Sequence, residues 1–292
     1  MAIKLYQSSD VGAPELSTTT AGSLLTILRA CLVEGYGSRT SAGWTMPFSD
    51  LPNNQAVFKP LVGDSLRLDD NLDYRWASVL GFKEMTGLDV GTEQYPSSGQ
   101  LGAGYHYRVY KRYNATSTYS NWFVIAGDGW FYFVTTHDAS TPSYPSGFFF
   151  GKYDCVNPSF TDGYLLSGYT TTITNVGVTQ CYYPLFRSNE NMYARRNYQG
   201  SQLPVILQQT WSASNFKNPN PFTGSLELDY TSIHDTTPPY IRYGELPSRY
   251  KMLGYTSLGY RGGEKFDITG VKYIVAAYST VVFAFKYDID VG

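Results

Sequence analysis

Between Ala21 and Glu34 the apolar residues Ala21, Leu24, Leu25, Leu28, Cys31 and Leu32 recur at intervals of three and four. That spacing gathers them on one face of an amphipathic helix around residues 21–34, the only helix the pattern predicts. Thr19, Thr20 or Ser23 is placed to cap its amino end, and Gly35 to close it in a left-handed conformation. Trp44 and Phe48 are expected to return over its end.

Elsewhere the period is two. Short alternating runs at 3–6, 56–58, 65–69, 74–82 and 105–110 read as strands, punctuated by Gly63-Asp64, Gly87 and the stretch 95–99. The clearest hairpin is 121–126 with 130–136, because Gly127-Asp128-Gly129 between them supplies the positive φ that a tight turn needs. A third run at 147–153 continues the meander, and 204–208 is a further strand inside a loop-rich stretch, 155–224. Residues 272–287 read as two strands around a turn near Tyr278-Ser279, apolar enough to predict a central place in the main sheet. No repeat or low-complexity linker appears. The expected fold is mainly β, a sandwich or barrel of antiparallel sheets with one helix, in a single body over 1–292. A soft boundary near 155–160 is the alternative.

Composition narrows the function more than it does the fold. Charged residues are 16% of the 292 and aromatics another 16%, led by 27 tyrosines. The charge is well below the roughly 25% of ordinary soluble domains. Tyrosine pairs a large ring with a hydroxyl, which suits strands and protein interfaces. A net charge of −2 with scattered Lys and Arg offers no basic stripe for a phosphate backbone, so nucleic acid is excluded as an expected partner. The first ten residues have no apolar signal core and no run reaches membrane-spanning length, so a soluble chain made in the cytoplasm is expected. Of three cysteines, Cys31 lies on the apolar helix face, and Cys155 with Cys181 is a candidate disulfide only in an oxidising setting. No zinc-ligand spacing occurs.

Four constellations bear on chemistry. Gly63-Asp64-Ser65-Leu66 spells the nucleophile block of SGNH hydrolases, which also need a histidine base. His137 and His234 are the downstream candidates; neither stands in the Asp-x-x-His pair of that family, and Asp235 follows His234 directly. The plain alternative is a Gly-Asp turn entering a strand. Asp69, Asp70 and Asp73 suggest a calcium loop but lack the glycine and terminal glutamate of an EF-hand, so a solvated turn is the expectation. Glycoside hydrolysis needs two carboxylates across a cleft, and no spacing selects a pair from Glu84, Asp89, Asp128, Glu190, Glu227, Asp229 and Asp235. Trp122, Trp130, Tyr132 and Trp211 are candidate platforms for a glycan. His106, His137 and His234 are isolated, and the glycine-rich 99–104 has no following helix to hold a phosphate. No catalytic, cofactor-binding or metal residue is therefore nominated.

A resemblance supplies context. Ala13-Pro14, then Ala21-Gly22-Ser23-Leu24-Leu25, then residues 30–37 and Ala42-Gly43-Trp44 occur in order. Ala56-Val57-Phe58, Leu66-Arg67-Leu68-Asp69-Asp70, residues 79–85 and 89–92, and Tyr95-Pro96 follow. Over residues 1–96 this series resembles a family of tailed-bacteriophage virion proteins. The resemblance implies a non-enzymatic component of the particle, at the neck, tail or head surface, whose partners are other virion proteins and copies of itself. It carries no site residue to transfer. Loops in 86–104, 137–147 and 188–224 are the expected contacts. A glycan-binding virion module is the alternative function, and an SGNH-type serine hydrolase the remote one.

Overall fold

The computed structural model describes residues 2–17, 19–73, 75–101, 105–111, 121–136, 145–156, 163–172, 192–195, 203–208, 228–235, 242–252, 262–278 and 281–290. Strand β1 (Lys4–Gln7) leads to helix α1 (Ser23–Leu28), which continues as a π-helical stretch (Arg29–Glu34). Strands β2 (Thr45–Asp50), β3 (Gln55–Lys59), β4 (Ser65–Asp69), β5 (Trp76–Phe82), β6 (Glu84–Met85) and β7 (Gly91–Thr92) follow. A single helical turn, α2 (Ser98–Leu101), and β8 (Tyr105–Tyr110) complete this part. A ribbon is then made by β9 (Asn121–Gly127), β10 (Trp130–Thr136) and β11 (Ser146–Lys152). The remainder supplies β12 (Asp154–Cys155), β13 (Tyr164–Leu166), β14 (Tyr169–Thr172), β15 (Met192–Arg195), β16 (Leu203–Gln208) and β17 (Leu228–Asp235). It ends with β18 (Arg242–Met252), β19 (Lys265–Ile268), β20 (Val271–Tyr278), β21 (Val281–Tyr287) and β22 (Ile289–Asp290).

The fold is mainly β, as expected. A six-stranded antiparallel sheet has the order β14-β8-β5-β4-β3-β2, and a larger sheet runs β19-β20-β21-β18-β17-β16-β15-β13-β11-β10-β9-β1-β22. The large sheet curls back on itself. Phe285 of β21 packs on Phe123 and Tyr132 of the ribbon, with ring centroids 5.5 and 5.2 Å away, although six strands separate β21 from β10 along the path. After β21, Asp288 turns the chain so that β22 pairs in parallel with β1, and the Asp288 amide donates to the Ile3 carbonyl at 2.9 Å.

The ribbon is the partition of the molecule. Val124, Ala126, Phe131, Phe133, Phe148 and Phe150 face one core, shared with the helix and the small sheet. Phe123, Ile125, Trp130, Tyr132, Val134 and Phe149 face the other, inside the curl of the large sheet. Strands buried on both faces read as continuous apolar runs, which is why Phe148-Phe149-Phe150 shows no alternation. Gly129, at φ 78, makes the predicted turn, with Gly127 opposite Trp130.

The helix is buried more completely than an amphipathic pattern implies, since Ile27 and Ala30 are buried along with the predicted stripe. Its last turn widens: the Gly35 amide donates to Ala30 five residues back, at 2.7 Å, and Arg29 reaches Glu34 at the same interval. Gly35 has the expected positive φ of 86° but a ψ of 170°, so it leaves the helix extended rather than in the left-handed helical well. The Ala42 and Trp44 amides then donate to Cys31 and Leu32, and the buried Trp44 ring packs edge-on against Phe131. Phe48, expected over the helix end, lies instead on the outer face of the small sheet, beside Val57, Phe82 and Met85.

Strands β4 and β8 coincide with the predicted runs, and β3, β5, β9, β10 and β11 match within two residues. Two expectations are corrected. The apolar 272–287 forms the hairpin β20–β21, but near one end of the sheet path; the ribbon holds the central place because both its faces are covered. The loop-rich 155–224 contains β13, β14 and β15 besides β16, which is the strand expected at 204–208. β11 before the soft boundary near 155–160 pairs with β13 after it, so one sheet crosses that point.

Candidate functional site

Ser65 opens β4 and is fully buried, and its hydroxyl has no hydrogen-bond partner among the described residues. Asp64 before it is clamped by Arg195 at the end of β15, 131 residues away, through Nε to Oδ2 at 2.6 Å and Nη2 to Oδ1 at 2.8 Å. Arg195 also reaches Glu93 at 3.3 Å and lies over the Tyr164 ring. Burial works against its charge, but the bonds and charge of Asp64 hold the guanidinium above its ordinary value. Burial, then the Asp64 charge, pushes the Tyr95 phenol well up. His106 sits on β8 beside Trp76 and His234 contacts Ser232 at 3.0 Å, so neither attends Ser65; His137 lies outside the described residues. The four-residue block is the base of a turn.

The acidic run after β4 is not the solvated turn expected. Asp70 is fully buried: Oδ2 accepts the Leu24 and Leu25 amides at 2.8 and 3.1 Å, and Oδ1 accepts Lys111 Nζ at 2.6 Å. It therefore caps the helix from 46 residues away, taking the role foreseen for Thr19, Thr20 or Ser23. The N-cap position is Gly22, at φ 87, where a Cβ would stand 2.4 Å from Asn54 Oδ1. Burial pushes the Asp70 carboxyl up, and Lys111 and the two amides pull it back. Asp69 accepts from Gln55 Nε2 at 3.0 Å, and Asp73 from the Arg75 amide and guanidinium at 2.6–2.9 Å. These carboxylates already face donors, and no three metal-ligating side chains converge among the described residues.

The platform rings are corrected too. Trp122, Trp130 and Tyr132 are buried, and two of their polar handles are used internally: Trp122 Nε1 donates to the Pro14 carbonyl at 3.0 Å and the Tyr132 hydroxyl to Pro247 at 2.8 Å. Trp211, Glu190, Glu227 and Cys181 lie outside the described residues, as do 137–144 and most of 188–224. Cys31 is buried and its thiol pushed well up by burial; Cys155 is half-buried. Glu84 and Asp128 are exposed, Asp89 holds Arg67 at 2.7 Å, and Asp229 and Asp235 stand in β17 opposite Lys251 and Val205. Of the expected loop 86–104, residues 102–104 are outside the described set; the Ser98–Leu101 turn begins the glycine-rich stretch.

What stands out is where aliphatic side chains meet solvent. The small sheet and the large one are joined at two places, near the end of β8 and near the start of β4, and these define two ends. At one, the helix-entry end, Ser146 Oγ donates to the Tyr110 carbonyl at 2.6 Å and the Ser8 amide to Trp122 at 2.9 Å, joining the ends of β8, β11, β9 and β1. Exposed Val11, Leu51 and Leu72 sit there. At the other, the ribbon-turn end, a Cβ on Gly129 would lie 3.4 Å from the Val62 carbonyl, and Gly63 (φ 135) abuts the Tyr164 ring. Exposed Leu61, Val62 and Val156 sit there. Among the described residues, Val90 alone of the large exposed aliphatics is on the flank, on the β6–β7 hairpin.

No protein family's sequence profile matches the chain, and no curated protein matches it.

The exposed tips are stiffly based. Val11 follows Asp10, whose carboxylate binds Arg39, accepts the Tyr36 hydroxyl at 2.8 Å and the Gln7 amide at 3.0 Å; the Asp10 and Arg39 side chains are only 5% and 6% exposed. The Asp10 bond and burial, burial foremost, push the Tyr36 phenol far up. Leu72 stands between Asp70 with Lys111 and Asp73 with Arg75, and Leu61-Val62 precede Asp64 with Arg195. Each acid lies beside a turn and is visible in the sequence; its base is not, because Arg39, Lys111 and Arg195 come from distant segments. No local signal singles them out: Lys111 and Arg195 are each followed by a second base, Arg112 and Arg196, in the sequence.

Proposed function

We propose that this chain is a structural component of a tailed-bacteriophage virion, at the neck, tail or head surface, acting by protein–protein assembly and carrying out no catalysis. The observation that carries the reading is the set of exposed aliphatic side chains on turns whose bases are buried Asp–Arg and Asp–Lys pairs. An apolar tip held in one geometry loses little conformational freedom when it docks, so it suits a contact made repeatedly in an ordered assembly. The series of sequence blocks over residues 1–96 supports placing that assembly in a phage particle. The engagement of Asp64, Asp70 and Asp73 in internal pairs supports a scaffold rather than a reaction centre. The partners are other virion proteins and copies of this chain.

The test is particle composition. Mass spectrometry of purified particles should find the chain in fixed copy number, and a tag on it should appear at one station in low-resolution images. Its absence from purified particles, or covalent labelling of Ser65 by a fluorophosphonate, would overturn the reading.

A further inference from the structure

Of the buried acid–base pairs among the described residues, one differs chemically from the others. Asp10 with Arg39 and Asp64 with Arg195 set a carboxylate against a guanidinium, which stays protonated and is no nucleophile. Asp70 instead faces a primary amine. Lys111 Nζ lies 2.6 Å from Asp70 Oδ1, and the two side chains are 1% and 0% exposed. Both backbones are fixed: the Asp70 amide donates to the Asn54 carbonyl and the Gly22 amide to the Asp70 carbonyl, each at 2.9 Å, while the Lys111 amide donates to the Arg75 carbonyl at 2.8 Å. Asp70 Oδ2 accepts the Leu24 and Leu25 amides at 2.8 and 3.1 Å, the reach of donors that stabilise an oxyanion in acyl transfer. Nζ is at most one bond length farther from Cγ than from Oδ1, so the two are held close to the ~3–3.5 Å of a near-attack pair.

We propose that Lys111 and Asp70 condense into an isopeptide bond, which closes a covalent loop over residues 70–111. Nζ gives one proton to Oδ1, and the lone pair of the neutral amine then attacks Cγ. The electron pair of the carbonyl moves onto Oδ2, where the Leu24 and Leu25 amides hold it. A second proton passes from nitrogen to Oδ1, the Cγ–Oδ1 bond breaks with its electron pair on oxygen, and water leaves as the carbonyl reforms. No oxidant, reductant or co-reactant is consumed. Burial pushes the Asp70 carboxyl up, which eases the first proton transfer. The third proton stays on the amide nitrogen, which keeps its contact with the Asp73 carbonyl, now 3.1 Å from Nζ. Because both side chains are shut off from solvent, the amide once made is guarded from hydrolysis. The cross-link fixes the helix entry permanently and restricts the unfolded chain as a disulfide does.

Mass spectrometry of the purified chain, denatured after folding, is the test. The intact mass should fall short of the sequence mass by one water. A tryptic digest should hold a branched peptide, residues 68–75 joined through Asp70 to residues 109–112 through Lys111, where trypsin no longer cuts. In Lys111→Arg, which keeps a cation beside Asp70 but cannot be acylated in this way, the mass should return to that of the sequence. The parent itself carries the readout, so the test stands even if that variant folds poorly. A folded parent at full sequence mass with a linear 68–75 peptide would overturn the proposal. So would a missing water on a linear peptide, as a succinimide at an aspartate gives, or a missing water that persists in Lys111→Arg. None of these results bears on the assembly reading, which particle composition judges separately.

Discussion

The turns at the two ends and the β6–β7 hairpin on the flank are all fastened by acid–base pairs, but at different depths. Asp70 with Lys111 and Asp64 with Arg195 are at most 4% exposed, while Lys83 with Glu93 is 42% and 45% exposed and Asp89 is 64% exposed against Arg67. Under the end turns lies the continuous core of helix and ribbon; under the hairpin lies a small satellite of Val57, Phe82 and Met85, with Phe48, Leu80 and Leu88. A buried pair imposes one geometry because either partner left alone is a charge without solvent. An exposed pair only biases an equilibrium. The ends are therefore built to hold shape, and the hairpin to come and go.

Removing one partner at an end is the severest test of that contrast. Asp64→Ala leaves the Arg195 guanidinium buried without its two-pronged carboxylate partner and should cost about 3–5 kcal/mol, read from the shift in denaturant midpoint. The double variant Asp64→Leu/Arg195→Met should recover much of that loss, because the buried charge disappears with its partner. Lys83→Ala on the flank should change global stability by less than about 1 kcal/mol. Equal effects at the two places would erase the distinction.

A smaller loss is expected where the flank joins the sheet. Gly81 and Tyr95 form an isolated bridge, and a Cβ on Gly81 would stand 2.3 Å from the Tyr95 ring, which is itself fully buried. Gly81→Ala should cost about 1–3 kcal/mol by overpacking, and Tyr95→Leu in the same chain should relieve part of it. Additive losses in the double variant would show that the ring does not set the limit.

Local patterning made much of this legible and then stopped at a definite point. The strands Ser65–Asp69 and Tyr105–Tyr110 were readable because polar and apolar residues alternate along each, even though most of their polar side chains are buried as well, and Gly129 because only a positive φ closes that hairpin. The cap of the helix was not readable. Ser and Thr stood in the favoured places, but Asp70 arrives from the far side of β4 and brings Lys111 with it. Partners chosen by tertiary proximity leave no trace in local spacing. The same limit explains the ring platforms: Trp122, Trp130 and Tyr132 look presentable along one strand, and burial on both faces follows only once the helix lies on one side and β21 on the other. Likewise β18 was obscured by Pro247 and by Ser248 at φ 56, which interrupt its run.

The gentlest expected effect is on the hairpin's own opening. Its amides pair within it or at its base, Thr86 to Val90 at 2.9 Å and Lys83 to Thr92 at 3.1 Å. They should exchange with solvent through local opening, while the β3–β5 ladder exchanges only on global unfolding. Arg67→Ala, or salt near 0.5 M, should speed exchange at Thr86 several-fold and leave the β4–β5 amides unchanged, because screening acts on the exposed latch. Lys83, with Arg195, holds the Glu93 carboxyl below its usual 4.5. A depressed carboxylate adds stability that is complete above pH 4.5 and fades as pH falls through the folded value. The hairpin should therefore loosen on acidification below about pH 4.5, seen as convergence of the Met85 and Thr92 resonances on unpaired positions, and Glu93→Gln should remove that pH dependence. Exchange at Thr86 no faster than in β4, or an acid response that survives Glu93→Gln, would mean that the hairpin belongs to the rigid body and that depth of pairing does not divide this molecule.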